Sequence, residues 1–588
     1  SNQDPTQWTV AWSYTHPEVQ QSWSEVKTAS IPVAVSAQGE RTFKDVAIFT
    51  GGYDIEEDFF PEPFTDQDAN GTPFAANGSI DNSEWSKNTA SQDVYDDDLY
   101  NRYNPAMNEY GRGIFVVDLD DPAAVTSVAV ASGPAQQVLP FSATYGATAV
   151  ATGVTQTFPE MQFSFPASPS VATGTDRYLY NSASGPAYQY ANNVLLAVYG
   201  VDIYANLFKV RYDFQLENTG TTSSPNWQVT STGWQVNRLF SANPGSDSVS
   251  GRLGGGVNTD EYDKGRKAFY PPAISWRGSK GYFEAGNYVF PNVSFDNTDT
   301  MASLFFGTGD RENPKYTMIR NRFYAVYDDA SVTATQSVPV PDTPVAVSSA
   351  PYQEDDLLNL TCDELDKDTV INSCYLGPLD GACSAATASE DMKTCLRSLL
   401  KDDAVYGTPV ALENGPAHEN DAKGWYIVLP DQGQSSACGH VSYPTTIDSL
   451  TSTDHDNHIG EHVLSEANLY FGTLYFTTYQ PSIDDPCNPQ GNGFSYALNY
   501  LDASATYNLM PEAPDATKYF DIADRYNKFT GIKGIPSGFT IVLRDGHAAA
   551  MASMGGSIIG PNVGGGTEIE TPGLGLELYY WRDSSSEQ

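Results

Sequence analysis

The sequence is poor in basic residues and in long apolar runs, and both shortages exclude classes of protein. Lysine and arginine together number 31 against 73 aspartates and glutamates, which leaves a formal net charge of −42 over 588 residues. Non-specific binding to nucleic acid or to an anionic membrane needs a positive surface, so we expect neither partner. No run of about eighteen consecutive apolar residues is present, so we predict no membrane span.

The cysteine motifs of zinc and haem sites are also missing. The chain has six cysteines, and none lies in a Cys-x-x-Cys or a Cys-x-x-Cys-His pattern. An even number in an acidic chain rich in tyrosine and glycine favours disulfides and an oxidising compartment. The acidity itself fits a saline exterior, bound divalent cations or simple solubility. The expected disulfide residues are Cys362, Cys374, Cys383, Cys395, Cys438 and Cys487.

Motifs of catalysis are absent as well. The chain contains no Gly-x-Ser-x-Gly elbow and no Gly-x-x-x-x-Gly-Lys phosphate loop, and no residue is marked as a nucleophile. We therefore predict a protein that is not an enzyme, with no catalytic residues and no organic cofactor. Because Ser1 follows no signal peptide, we expect either a mature chain or a fragment.

What the sequence does contain is a recurring short strand that ends at glycines. Residues 46–54 read V-A-I-F-T-G-G-Y-D, an apolar strand buried on both faces, a glycine turn and Asp54 with a free carboxylate. Similar patterns return at 111–118, 304–310 and 321–328, and segments 474–479 and 494–500 look like a further pair. Recurring small antiparallel sheets predict an all-β fold, a β-propeller with irregular or incomplete blades. A large β-sandwich with similar turns is the alternative.

Composition divides the chain into three parts. Residues 1–340 are predicted to form propeller blades with a long acidic insertion at 55–108, and residues 424–588 the closing blades and a C-terminal strand. Residues 341–423 read as a linker and a small disulfide-rich insertion, with helical patterns at 354–360 and 389–400. Three connectivities are open to the four cysteines of this insertion, and the remaining two form a candidate pair across neighbouring strands.

Two groups of polar residues are candidate metal sites. Asp66, Asp68 and Asn70, followed by Gly71, match the first half of a calcium loop, whose alternating oxygen ligands converge on a hard cation. The twelfth position of such a loop is normally Glu and is Asn77 here, so a calcium site and a plain acidic turn both stay open. A second group reads as either a metal site or a solvated polar loop, and contains Asp454, His455, Asp456, His458, Glu461 and His462.

Taken in order, the strand motifs resemble the C-terminal β-propeller of the PilC/PilY family, the adhesins and biogenesis factors of the type IV pilus tip. The matching segments are residues 22–24, 48–54, 111–118, 166–171, 201–209, 306–312, 323–328, 424–425, 460–461 and 476–487. The resemblance implies a non-enzymatic protein that binds minor pilins in the pilus tip complex. It also implies support of pilus assembly against retraction, and attachment to a host or abiotic surface.

The same resemblance implies a location and a missing part. We expect a secreted protein, on the cell surface at the pilus tip or in the outer membrane or periplasm. The family's early blade and long N-terminal region have no counterpart before Ser1, so we expect a C-terminal piece that works with a separate N-terminal portion of the same protein. The insertions at 55–108 and 353–404 are the expected contact elements.

Two other functions stay open. A periplasmic quinoprotein-type dehydrogenase would share propeller blades rich in tryptophan and glycine, and would carry a quinone chromophore with calcium beside it. A structural subunit of another surface filament or layer would also be acidic and disulfide-bonded, and would assemble with itself.

Overall fold

The computed structural model describes residues 19, 23–54, 111, 113–119, 164–182, 185–221, 224–242, 266–279, 283–284, 287–288, 300–314, 321–328, 351–361, 395–396, 399–400, 422–429, 460–470, 472–481, 491–506, 525–529, 534–544, 547–555 and 557–559. Strand accounts for 62% of this part of the chain and helix for almost none, which confirms the all-β prediction. Within these residues, no helix has the length and apolar character needed to cross a membrane.

The first sheet has seven strands and contains two antiparallel meanders that follow each other along the chain. The first meander is β1 (Lys27–Val35), β2 (Arg41–Thr50) and β3 (Ile114–Asp118), and the second is β4 (Ser170–Ser182), β5 (Gly185–Val201), β6 (Asn206–Asn218) and β7 (Trp227–Ser241). The two meanders join where β1 runs parallel to β5, at the pair Ser30 and Val194. The sheet curls into a half-barrel.

Three more meanders complete the described strands. The second sheet contains β8 (Ala273–Ser279), β11 (Thr300–Gly307), β12 (Arg322–Asp328) and β14 (Gly424–Val428), with β13 (Leu358–Asn359) parallel to β14 at its edge; β9 (Phe283–Glu284) and β10 (Asn287–Tyr288) pair only with each other. The third contains β15 (His462–Val463), β16 (Asn468–Tyr470), β17 (Thr473–Gln480), β18 (Asn492–Asn499) and β19 (Tyr526–Lys528). The last contains β20 (Thr540–Arg544), β21 (His547–Met554) and β22 (Ser557–Ile559).

The second sheet is buried on both faces, because successive side chains of a strand point to opposite sides. In β11, Leu304 and Phe306 belong to a hydrophobic cluster shared with the first sheet, whereas Phe305 belongs to a cluster shared with the third sheet. In β12, Tyr324 and Phe323 divide between the same two clusters. This arrangement explains why both strands read as apolar and aromatic runs without polar alternation.

The clusters connect the meanders in chain order. One joins the two meanders of the first sheet, the next joins the second of these to the second sheet, and two more join the second sheet to the third and the third to the last. Between the second and third sheets, Phe323 stacks on Phe476 with ring centroids 3.9 Å apart, and within the third sheet Phe476 stacks on Tyr496 at 4.6 Å. Such contacts orient neighbouring sheets as well as burying apolar area.

The predicted helix at 354–360 is wrong. Glu354–Asp356 form a single 3-10 turn, and the chain then continues as β13, in which Leu358 pairs with Trp425 of β14. Burial of Leu357 and Leu358 on the second sheet outweighs the helical spacing of the leucines. Residues 395–396 and 399–400 are helical, as the pattern at 389–400 predicts for them.

The prediction of a free carboxylate on Asp54 is also wrong. Asp54 is buried, with 5% of its surface exposed. The two glycines before it are needed for different reasons. A Cβ on Gly51 would lie 2.4 Å from the carbonyl oxygen of Gly111, and Gly52 has a φ of 109°. The turn is therefore a close approach of two backbones, which no larger residue permits.

Replacement of Gly424, the first residue of β14, should destabilise the protein more than replacement of Gly185, although both glycines have a positive φ. Gly424 has a φ of 140°, and an added Cβ would lie 1.8 Å from the Ala325 carbonyl oxygen. Gly185 has a φ of 115° and open space around its Cβ position. In urea unfolding, Gly185→Ala should cost about 1 kcal/mol from strain alone, whereas Gly424→Ala should cost several times more. Equal losses of unfolding free energy in the two variants would contradict the close packing described around Gly424.

Asp202, in the turn between β5 and β6, is completely buried. Its carboxylate accepts hydrogen bonds from the backbone N–H of Asn206, at 2.9 Å, and from the Asn206 amide, at 2.8 Å. Burial is the largest influence and raises the pKa of Asp202 from 3.8 to about 7, although Asn206 and Arg238 lower it. The folded protein therefore holds this acid protonated over a range in which the unfolded chain ionises it.

We expect stability to fall as the pH rises through that range. The contribution of Asp202 is complete below its unfolded pKa of 3.8 and is lost as the pH approaches about 7, a difference on the order of 4 kcal/mol. In urea unfolding at a series of pH values, Asp202→Asn should reduce the decrease of the unfolding free energy between these two pKa values. Asp45→Asn, at an exposed position of β2, is the control. The same slope in wild type and Asp202→Asn would exclude Asp202 as its source.

Candidate functional site

An open groove of about 660 Å³ lies where the second, third and last sheets approach one another. Its walls are Tyr270 and Arg311, residues 464–466 and 468 beside the third sheet, and residues 535–540 and 553–555 of the last sheet and the segment before it. A volume of this size is typical of ligand sites, which span about 300–1,000 Å³. The groove is therefore the candidate functional site in the part of the chain that the structure describes.

The groove residues Arg311 and Tyr270 belong to a group that also contains the rings of Trp23 and Tyr53. Trp23 stacks on Tyr53 with centroids 5.1 Å apart and planes 17° apart. The Arg311 guanidinium lies 5.3 Å from the centre of the Trp23 ring and 5.8 Å from that of Tyr270. Trp23 precedes β1, so this contact also brings the start of the described chain to the second sheet. Two rings hold the guanidinium in place through cation–π contacts.

A buried turn after β11 fixes the position of Arg311. The Asp310 carboxylate binds Lys267 Nζ at 2.9 Å and accepts the backbone N–H of Asn313 at 2.9 Å. Burial raises the pKa of Asp310, but Lys267 and the Asn313 N–H outweigh it, and the pKa lies below its ordinary value. Gly309 is needed here because an added Cβ would lie 2.8 Å from His462 Cβ. The turn therefore presents Arg311 from a rigid base.

His462 and Glu461 support this turn from the third sheet. His462 Nδ1 accepts the backbone N–H of Asp310 at 3.2 Å, which leaves the ring proton on Nε2 when the histidine is neutral. Glu461 Oε1 accepts hydrogen bonds from the hydroxyls of Thr478 and, at 2.6 Å, Tyr496. Both side chains are buried. The prediction of a solvated polar loop is thus wrong for these two residues, and the alternative of a metal site stays a prediction, because the other members of the group lie outside the described residues.

The groove also contains an acidic side chain, Glu466, which is exposed. Its surroundings desolvate it, which raises its pKa, while Lys27 lowers the pKa and Glu25 raises it. Lys27 and Glu25 form an exposed ion pair of 2.6 Å on the first sheet. The groove thus combines one clamped cation with one carboxylate and lies close to the first sheet as well.

Most of the predicted site residues lie outside the described residues. Asp66, Asp68 and Asn70 do, so the calcium loop stays a prediction, and so do His455 and His458 of the second group. Among the residues that the structure describes, no three histidines, cysteines, aspartates or glutamates form a metal-binding group. Cys395 is disulfide-bonded. The other cysteines, Cys362, Cys374, Cys383, Cys438 and Cys487, lie outside the described residues, so the connectivity stays a prediction.

Neither Arg311 nor Trp23 was predicted as a site residue, although they lie in two segments that carry the family resemblance, residues 306–312 and 22–24. Arg311 directly follows the Gly-Thr-Gly-Asp turn after β11, and Trp23 lies between two serines before β1. A charged residue directly after a buried glycine–aspartate turn was the available signal for Arg311. Its partner rings lie too far away along the chain for any local pattern to indicate them.

Comparison of the chain with protein-family models, with curated proteins and with solved structures finds no match in any of the three.

The Lys267–Asp310 pair should be necessary for the turn that carries Arg311. Lys267→Met leaves the buried Asp310 carboxylate without its cation, so we expect a loss of about 3–5 kcal/mol in the free energy of unfolding. Adding Asp310→Asn to that variant should recover part of the loss, because no buried charge is then left unpaired. Lys27→Met, which breaks an exposed pair, should cost no more than about 1 kcal/mol. Urea unfolding measures all of these, and a loss as small as that of Lys27→Met would contradict this account of the turn.

Proposed function

We propose that this chain is a non-enzymatic cell-surface protein whose β-propeller resembles that of PilC/PilY proteins. In this proposal it binds minor pilins at the type IV pilus tip, supports pilus biogenesis and takes part in surface attachment. The observation that carries the proposal is the groove beside Arg311, which opens where consecutive meanders of the chain approach one another.

The order of packing supports a propeller. In a propeller, each small antiparallel sheet packs face to face on the next along the chain. The described meanders do so through successive clusters, from the first sheet to the last. Trp23 and Lys27 from the first sheet lie close to Arg311 and Glu466, at the groove shared with the last sheet. This return of the chain toward its first strands favours a ring over separate sandwiches.

Buried ion pairs between distant strands support a rigid frame. Lys209 of β6 binds Asp328 of β12 at 2.6 Å, and Tyr199 of β5 donates to the same Asp328 oxygen at 2.5 Å. Arg266 lies 2.9 Å from Glu354. Breaking any of these contacts would leave a charge inside the protein, which is costly. A frame of this kind suits a protein that must present a surface at the end of a filament that is pulled.

The charge supports an extracellular location in contact with proteins. A net charge of −42 keeps the molecule soluble and repels anionic polymers and membranes. The groove offers a local cation and exposed apolar area within this acidic surface, which favours recognition of a protein segment. Ile535 contributes most clearly, since 47% of its surface is exposed in the groove wall.

A groove variant should separate binding from folding. Ile535→Asp places a charge in the groove wall and should weaken binding of the purified chain to minor pilins by at least about tenfold, since a charged group is poorly tolerated in an apolar contact. Tyr190→Asp changes a large hydrophobic residue that is more exposed, at 63%, and lies outside the groove lining, and this variant should bind as wild type. Biolayer interferometry with each minor pilin of the encoding bacterium measures the affinities.

The same proposal requires a cellular effect. Deletion of the encoding gene should reduce piliation, counted by electron microscopy, and surface attachment, and wild type but not Ile535→Asp should restore both. Absence of pilin binding together with normal piliation in the deletion strain would overturn the proposal. A quinone absorbance band in the purified protein would favour a dehydrogenase instead, and spontaneous filaments would favour a structural subunit.

A further inference from the structure

We propose that the groove binds an extended peptide segment through a single carboxylate, which the Arg311 guanidinium receives. This inference rests on the proposed function, because it names the ligand chemistry of the same groove. Three features of the groove support it: the exposed Arg311 guanidinium with its ring contacts, the carboxylate of Glu466 and the apolar side chain of Ile535.

Arg311 differs from five other cations of the described chain that are buried or partly buried. Arg41, Lys44, Lys209, Arg266 and Lys267 each bind a carboxylate. Arg311 is exposed, its contacts are the rings of Trp23 and Tyr270, and no described carboxylate forms an ion pair with it. Ring contacts occupy the faces of a guanidinium and leave the N–H groups at its edge to bind a ligand.

A clamped guanidinium is suited to a carboxylate. Its planar fork of N–H donors matches the two oxygens of a carboxylate, and the two together form parallel charge-assisted hydrogen bonds. Because Trp23 and Tyr270 already restrict the side chain, less conformational entropy is lost when the ligand binds. The rigid Asp310 turn below it, fixed by Lys267 at 2.9 Å, keeps the fork in position.

The remaining charge of the groove limits the ligand to one carboxylate at this point. Glu466 shares the groove with Arg311, and the nearby Lys27 is already paired with Glu25. A second carboxylate of the ligand would meet Glu466 and be repelled, whereas main-chain N–H groups would find an acceptor there. A peptide supplies both, a carboxylate for Arg311 and N–H donors for Glu466.

The apolar wall favours a peptide over a small anion. Ile535 is exposed in the groove, and Leu464 and Met554 also line it. A volume of about 660 Å³ exceeds what a simple anion would fill. An extended segment with alternate apolar side chains could therefore cover Ile535 while its carboxylate reaches Arg311.

Fluorescence polarisation with labelled peptides tests the inference on the full chain. The probes are a short peptide of alternating glycine and isoleucine with a free C-terminal carboxylate, the same peptide amidated, and the amidated peptide with one central glutamate. We expect the amidated peptide without glutamate to bind at least about tenfold more weakly than the best carboxylate-bearing probe. The affinities of the peptide with a free C-terminus and of the amidated peptide with glutamate then show whether a chain terminus or an acidic side chain supplies the carboxylate.

Variants of Arg311 connect the affinity to the guanidinium. Arg311→Gln should reduce binding of the carboxylate probes to the level of the amidated peptide, and Arg311→Lys, which keeps the charge but not the fork, should lose about tenfold. Lys528→Gln removes one positive charge outside the groove lining and should leave binding unchanged. Equal binding of all three probes, or wild-type affinity for the carboxylate probes in Arg311→Gln, would overturn the inference.

The outcome can be distinguished from failure of the proposed function. If the chain binds minor pilins and Ile535→Asp weakens that binding while Arg311→Gln does not, the groove is a pilin site that does not depend on a carboxylate. If the carboxylate probes bind through Arg311 but no minor pilin binds, the peptide site stands and the pilus assignment fails.

Discussion

Burial of the second sheet on both faces is the constraint on which the rest of the structure depends. Strands β11 and β12 place successive side chains into two different hydrophobic clusters, so the first and third sheets must both be present for either strand to be covered. The stacking of Phe323 on Phe476 at 3.9 Å then fixes how the third sheet lies on the second. The polar groups at the ends of these strands are enclosed by the same packing and must find partners inside the protein.

Those partners are charged, and they come from distant parts of the chain. Asp328 ends β12 and is bound by Lys209 and Tyr199, while Glu354 is bound by Arg266. Replacing buried ion pairs by apolar residues is often neutral for stability, so such pairs are better understood as selecting one arrangement of the strands than as adding stability. The Lys267–Asp310 pair shows a further consequence, because the turn that it holds places Arg311 at the surface beside two aromatic rings.

Sequence patterns predicted the positions of many strands. They did not predict which distant residues contact one another. The apolar run at 46–49 and the aromatic runs at 304–306 and 322–328 are strands, as predicted. They could be predicted because a strand that is buried on both faces has apolar residues at nearly every position. The helix predicted at 354–360 is wrong because the spacing of its leucines fits a helix as well as an edge strand. Pairing with β14 makes residues 358–359 a strand. Glu461 and His462 were read as loop residues because polar residues indicate solvent until their buried hydrogen-bond partners are known.

The amino-acid sequence by itself determined the all-β class, the positions of the principal strands and the glycines of the turns, since these depend on neighbours a few residues away. Tertiary structure alone decided the pairing of the buried charges and the groove. Asp310 and His462 are 152 residues apart, and Tyr199 and Asp328 are 129 apart, so no local pattern could connect them. Nothing in the local sequence distinguishes Arg311, and it becomes a fixed cation only because packing of the sheets brings the rings of Trp23 and Tyr270 against its guanidinium.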